Sequence, residues 1–121
     1  MFGLDSIVLY VEDISASKKF YSELLGSLGM EMSPTFVSFE LNSGLKLELK
    51  VRAQSQPPAT TTGGGTEMCI KLDDEGSLNR MFDLWTSKGV RFALLPTTSV
   101  FGPTFVALDP DGHRIRAFAP K

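Results

Sequence analysis

Residues 8–26 read VLYVEDISASKKFYSELLG, and the order of structure they encode decides the fold. A β-rich run, Ile7 to Val11, stops at Glu12-Asp13. Beyond it Ile14, Tyr21, Leu24, Leu25 and Leu28 recur on one helical face, with Phe20 beside them. Asp13 or Ser15 is placed to cap the start of this helix, and Gly29 to end it. Three short strands are then expected, at Met30 to Met32, Phe36 to Leu41 and Leu45 to Val51. The turn Asn42-Ser43-Gly44 joins the last two as a hairpin. The result is one βαβββ unit.

The same order begins again after a stretch without periodicity, AQSQPPATTTGGG from Ala53 to Gly65, which reads as a linker or loop. A strand from Glu67 to Leu72 leads to Asp73-Asp74. A helix follows with Leu78, Met81, Phe82 and Trp85 at i, i+3, i+4 and i+7, stopped by Gly89. Strands are expected near Arg91 to Leu94, at Thr104 to Leu108 and at His113 to Phe118, with the turn DPDG at Asp109 to Gly112. Adding 61 takes Asp13 to Asp74, Tyr21 to Phe82 and Leu24 to Trp85; adding 66 takes Phe39 to Phe105; adding 68 takes Gly44 to Gly112 and Leu47 to Ile115. The chain is therefore expected to be one α+β domain with an internal repeat: residues 1–52 a first βαβββ unit, 53–65 a linker, and 66–121 a second unit. Each would be a curled mixed sheet with a helix on its outer face. Sheet edges left open would make pairing necessary, within the chain or across a dimer.

Composition agrees with one globular domain: 121 residues, 42% hydrophobic and 21% charged. The net charge of -2 is spread along the chain, with no basic stripe to meet nucleic acid or anionic lipid. The single Cys69 excludes an intramolecular disulfide, no Cys/His spacing resembles a structural zinc site, and the first residues carry neither a signal peptide nor a membrane span. A cytoplasmic location is the expectation. The triple glycine Gly63 to Gly65 lacks a following Lys-Ser/Thr and is no phosphate loop.

Two stretches, VLYVEDISASKKFYSELLG and FGPTFVALDPDGHRIRAF (residues 101–118), resemble the glyoxalase/bleomycin-resistance/dioxygenase group, the vicinal oxygen chelate superfamily. The resemblance covers essentially the whole chain. It implies sheets curled around a cleft and a homodimer, often with units exchanged between chains. In metal-dependent members it implies one ligand on the first and last strand of each unit, usually His, Glu, His and Glu. Carried over by spacing, those positions are Ser6, Glu48, Glu67 and Arg116. Only Glu48 matches, and Glu67 is at best a substitute carboxylate. A guanidinium stays protonated and has only donors to offer, so Arg116 cannot ligate. A divalent catalytic ion normally takes about three protein ligands. No metal or other cofactor is therefore expected, nor the metal-dependent glyoxalase, epimerase and extradiol dioxygenase activities. His113, three residues from Arg116, points to the opposite face of the last strand and reads as a turn-adjacent polar residue.

Alternation puts Ile7, Leu9, Val11, Leu45, Leu47, Leu49, Val51, Met68, Ile70, Leu72, Ile115 and Ala117 under the helices. The opposite face carries Ser6, Val8, Tyr10; Lys46, Glu48, Lys50; Glu67, Cys69, Lys71; and Arg114, Arg116, Phe118. At equivalent positions of one cleft, Glu48, Glu67 and Arg116 would lie within a few ångströms, the arginine balancing the acids. Three roles stay open for it: anchor of an anionic ligand, holder of the acids for a cationic one, or member of a structural ion-pair network. Phe101, before Gly102-Pro103, is either a ligand contact or a loop anchor. Trp85 reads as core, and Cys69 as a small buried filler rather than a reactive thiol. The functional expectation is a metal-free protein that binds, without catalysis, a small aromatic or cationic molecule such as an antibiotic, through Tyr10, Glu48, Glu67, Phe101, Arg116 and Phe118. The alternative is a lyase, isomerase or dioxygenase-like enzyme of the same superfamily with Glu48 or Glu67 as acid/base.

Overall fold

The computed structural model describes residues 2–121. Strand β1 (Ser6–Val11) runs into helix α1 (Ile14–Leu25), because Asp13 adopts extended backbone and its carboxylate accepts the Ala16 N–H at 3.1 Å, satisfying one orphan donor of the first turn. The helix ends at Gly26, three residues before the glycine expected to stop it. Gly26 takes φ 64° and donates its N–H to the Ser22 carbonyl. A left-handed residue breaks the helix wherever it first occurs, so Leu28 leaves the helical face and is exposed. Gly29, also at positive φ, lies against Phe39, whose ring an added Cβ would meet at 2.6 Å.

Strands β2 (Met30–Ser33), β3 (Phe36–Glu40) and β4 (Lys46–Val51) complete a sheet of order β1-β4-β3-β2, with β1 and β4 parallel and the other neighbours antiparallel. Leu9, Val11, Val37, Phe39, Leu47 and Leu49 are buried, and α1 packs on β3 and β4 with Tyr21 wholly inside. Arg52, at the start of a 3-10 turn after β4, pairs with Glu12 and donates from Nη1 to the Ala59 carbonyl at 2.8 Å. The first compact unit accordingly extends to Gly63.

The second unit, Gly64–Lys121, repeats the plan: β5 (Glu67–Lys71), α2 (Glu75–Ser87), β6 (Arg91–Ser99), β7 (Gly102–Leu108) and β8 (Arg114–Phe118), in the order β5-β8-β7-β6 with β5 and β8 parallel. Two βαβββ units, α+β and without a closed barrel, are thus the architecture. Asp74 caps α2 by accepting the Ser77 N–H at 2.7 Å, which holds its carboxyl below the usual range. Strand β6 runs five residues past the segment expected, with two irregularities in its pairing to β7 that let it bend while staying paired. Trp85 is buried edge-on to Phe105 at 5.6 Å, in a cluster with Phe82 and Phe92.

The ladders correct one offset of the repeat. Phe39 pairs with Leu47 and Phe105 with Ala117, while Ile115, the counterpart of Leu47, pairs with Ala107. The structural counterpart of Phe39 is therefore Ala107, and that of Phe105 is Val37, at the same offset of 68 that relates β4 to β8. Matching phenylalanines by type slides the strand two residues, a shift that keeps the face and so escapes detection in the hydrophobic pattern.

Candidate functional site

The closing hairpin of the second unit positions the site. Asp109, 1% exposed, accepts on one carboxylate oxygen the N–H groups of Asp111 (2.9 Å) and His113 (2.8 Å). Its carbonyl takes the N–H of Gly112, which stands at φ 85°. This turn sets the register in which Ile115 and Ala117 are buried against the helix side while Arg114, Arg116 and Phe118 take the other face. His113 is buried beside the turn, on the parity of Ile115 rather than of Arg116.

Arg116 is fixed by two partners. Its Nε donates to Glu67 Oε1 at 2.8 Å and its Nη2 to Oε2 at 3.5 Å; its Nη1 donates to the Thr104 hydroxyl at 3.0 Å. That hydroxyl in turn donates to the Ala117 carbonyl at 2.8 Å, so the same oxygen gives one hydrogen bond and receives another. Arg116 and Glu67 side chains are each about one-third exposed, at 31% and 29%. The guanidinium holds the Glu67 carboxyl below the usual carboxylate range by direct hydrogen bonding; desolvation opposes this, and the charges of Arg116 and Arg114 add to it.

Above this pair lies a cavity of about 670 Å³, lined by Cys69, Lys71, Ser99, Phe101, Thr104, Arg116, Phe118 and Pro120. Its aromatic wall is a product of local turn chemistry. The Ser99 hydroxyl donates to the Gly102 carbonyl and accepts the Phe101 N–H, holding a turn that leaves Phe101 82% exposed. Gly102, at φ 127°, passes so close to the chain after β8 that a Cβ would collide with the Ala119 carbonyl oxygen. The Ala119 N–H bonds to the Pro103 carbonyl and fastens the crossing.

Of the residues expected at a site, Phe101, Arg116 and Phe118 line this cavity and Glu67 grips Arg116. Cys69 is exposed, not a buried filler, because its side chain shares the face of Arg116, its ladder partner. Glu48 and Tyr10 belong to the first unit. There Glu48 lines a cavity of about 530 Å³ with Leu28, Met30, Met32, Glu40 and Lys46 among its walls, while Tyr10 lies opposite Lys50 on the same sheet. Thr104, Ser99 and Pro120 were not expected. Thr104 was within reach of the alternation rule, since it faces Phe118 across the ladder. Pro120 and Ser99 carry no such signal, being gathered by the turn.

The donor set of the second unit does not suit a divalent cation. Both oxygens of Glu67 already face a guanidinium that cannot be deprotonated, and an ion there would stand against that fixed charge. Among the described residues, no three His, Cys, Asp or Glu side chains come together as a metal would require.

Residues 3–117 match the model of the Glyoxalase/Bleomycin resistance protein/Dioxygenase superfamily. The chain belongs to that superfamily. Protein ATC0852 from Agrobacterium tumefaciens has a structure similar to it with a TM-score of 0.85 at 39% identity, over 100% of this chain and 99% of that one. A glyoxalase-related enzyme from Fulvimarina pelagi shares the fold at a TM-score of 0.83 and 19% identity, over 98% of this superfamily member and 88% of the enzyme. In sequence the chain is similar to the phenazine antibiotic resistance protein EhpR of Enterobacter agglomerans, 29% identical over 112 residues that span 90% of this chain and 85% of the relative.

Proposed function

We propose that this superfamily member binds a small aromatic molecule without a metal, in the manner of an antibiotic-sequestering resistance protein, in the cavity of its second unit. One observation carries the reading: a guanidinium clamped by Glu67 and Thr104 occupies the floor of an apolar-walled cavity whose volume falls in the range typical of ligand sites. The likeness to a phenazine resistance protein supports a flat, polycyclic ligand. Glu67 is poorly suited to be a general base, because its hydrogen bonds to Arg116 lower its basicity away from neutrality, where proton transfer works best. The family resemblance supports a homodimer as the working form.

Thermal denaturation with and without phenazine tests the reading. A ligand bound only by the native state, present at a hundred times its Kd, stabilises by about 2.7 kcal/mol and raises the melting temperature by several degrees. The compound should be recovered unchanged by mass spectrometry. Its conversion to a product would instead establish the enzymatic alternative. A stoichiometric divalent ion in the purified protein, lost in Glu67→Gln, would overturn the metal-free reading.

A further inference from the structure

We infer that the ligand of this cavity is an aromatic anion, its carboxylate or similar oxyanion docked on Arg116 and Lys71 while its ring lies between Phe101 and Phe118. This rests on the binding reading above and narrows it to one charge class.

A guanidinium has five N–H donors. Arg116 spends three of them, Nε and one on Nη2 toward Glu67 and one on Nη1 toward Thr104. One donor on each terminal nitrogen is left in a cavity-lining side chain. Because Glu67 and Thr104 already hold the fork, a ligand would bind it without having to order it, which is what preorganisation requires. Planar, bidentate donors suit a carboxylate.

The charge of the surrounding face agrees. On the β5 and β8 strands the residues sharing the parity of Arg116 include one acid, Glu67, against three bases, Lys71, Arg114 and Arg116. The one acid is spoken for by the arginine. The neighbouring strand β7 adds only uncharged Thr104, Val106 and Leu108 opposite Phe118, Arg116 and Arg114. A cationic ligand would meet uncompensated positive charge here, and a neutral one would leave the two free guanidinium donors unused. Apart from Cys69 and the uncharged hydroxyl residues Ser99 and Thr104, the remaining walls are apolar: Phe101, left largely in water by its turn, together with Phe118 and Pro120. An aromatic ring with an acidic substituent fits both parts of the cavity at once.

Calorimetric titration of the full-length protein with three flat tricyclic probes tests this: neutral phenazine, phenazine-1-carboxylate and the N-methylphenazinium cation. The carboxylate should bind roughly tenfold or more tighter than phenazine, and the cation most weakly. Added salt should weaken the carboxylate alone. In Arg116→Gln the advantage of the carboxylate over phenazine should collapse toward unity. Lys71→Gln, an exposed change that leaves the core intact, should reduce the advantage by about threefold and serves if the Arg116 variant does not fold. Alkylation of exposed Cys69 by iodoacetamide should slow in the presence of the carboxylate, which locates it. Binding of phenazine or of the cation as tight as that of the carboxylate would overturn the charge assignment and leave the binding reading standing. Failure of all three probes to bind would overturn both.

Discussion

The two sheets of this chain repeat one plan, alike on their helix-facing sides and unlike on their open ones. On the helix side, positions matched by the repeat hold apolar pairs: Leu9 and Ile70, Leu47 and Ile115, Leu49 and Ala117. The volumes are exchanged within each unit. The second has Phe105 and Trp85 where the first has Val37 and Leu24, and alanines at 107 and 117 where the first has Phe39 and Leu49. A large ring in one position is offset by a small residue opposite, as interiors of fixed packing density require. On the open side no such rule applies. Ser6 and Glu48 of the first unit correspond to Glu67 and Arg116 of the second, and Lys50, whose ammonium lies 5.3 Å from the Phe36 ring centroid, corresponds to Phe118. Packing dictates apolar residues on one face and leaves the other free to differ.

Breaking the core half of this comparison should have the largest effect. Phe105→Ala removes the hub of three aromatic contacts, with Phe82, Trp85 and Phe92, and is expected to cost about 3–5 kcal/mol in urea denaturation. Val37→Ala, its counterpart, should cost roughly 2 kcal/mol, the transfer energy of two methyl groups. Equal costs would mean that the two cores are not repacked around different rings.

The open face can be sharpened by a double-mutant cycle. Glu67→Gln and Arg116→Ala should each destabilise, by about 1 kcal/mol for a pair this exposed, and the double mutant should cost less than their sum. A cycle between Ser6 and Glu48 should show no coupling. Additive losses in the second unit would mean that the ion pair is not formed in solution.

Acid titration separates the units more gently. Asp74 and Glu67 both have folded-state pKa values below the ordinary carboxylate range, Asp74 from the hydrogen bonds of Ser77 and Glu67 from Arg116. A depressed folded pKa contributes stability that is present above the unfolded pKa of about 4 and is lost as pH falls through the folded value. Melting temperature should therefore drop below about pH 4, and the drop should flatten in a Glu67→Gln, Asp74→Asn double variant. An unchanged slope would show that neither group carries the linkage. The smallest effect is expected at Lys50→Ala, about 0.5 kcal/mol from a half-buried cation over a ring.

Much of this was legible in the residues. Periods of 3.6 and 2 laid out both βαβββ units, Asp13 and Asp74 announced the two helix starts, and DPDG announced the hairpin that aims Arg116. The helix end at Gly26 was harder to read, because Gly26 and Gly29 both take positive φ and only backbone hydrogen bonding decides which one stops α1. The two-residue slide of β7 against β3 was invisible for a similar reason: it preserves the face on which every side chain lies.

What the sequence determined by itself is the order of elements and the division of each strand into a core face and an open face, with Arg116 on the open one. These follow from local chemistry and from the period of the chain. Only the tertiary structure decided that Arg116 is held by Glu67 and Thr104, and that Phe101 and Pro120 wall one cavity with it. Those partners stand 49 and 12 residues away from Arg116 along the chain, so only the folded β5-β8-β7 ladder brings them together.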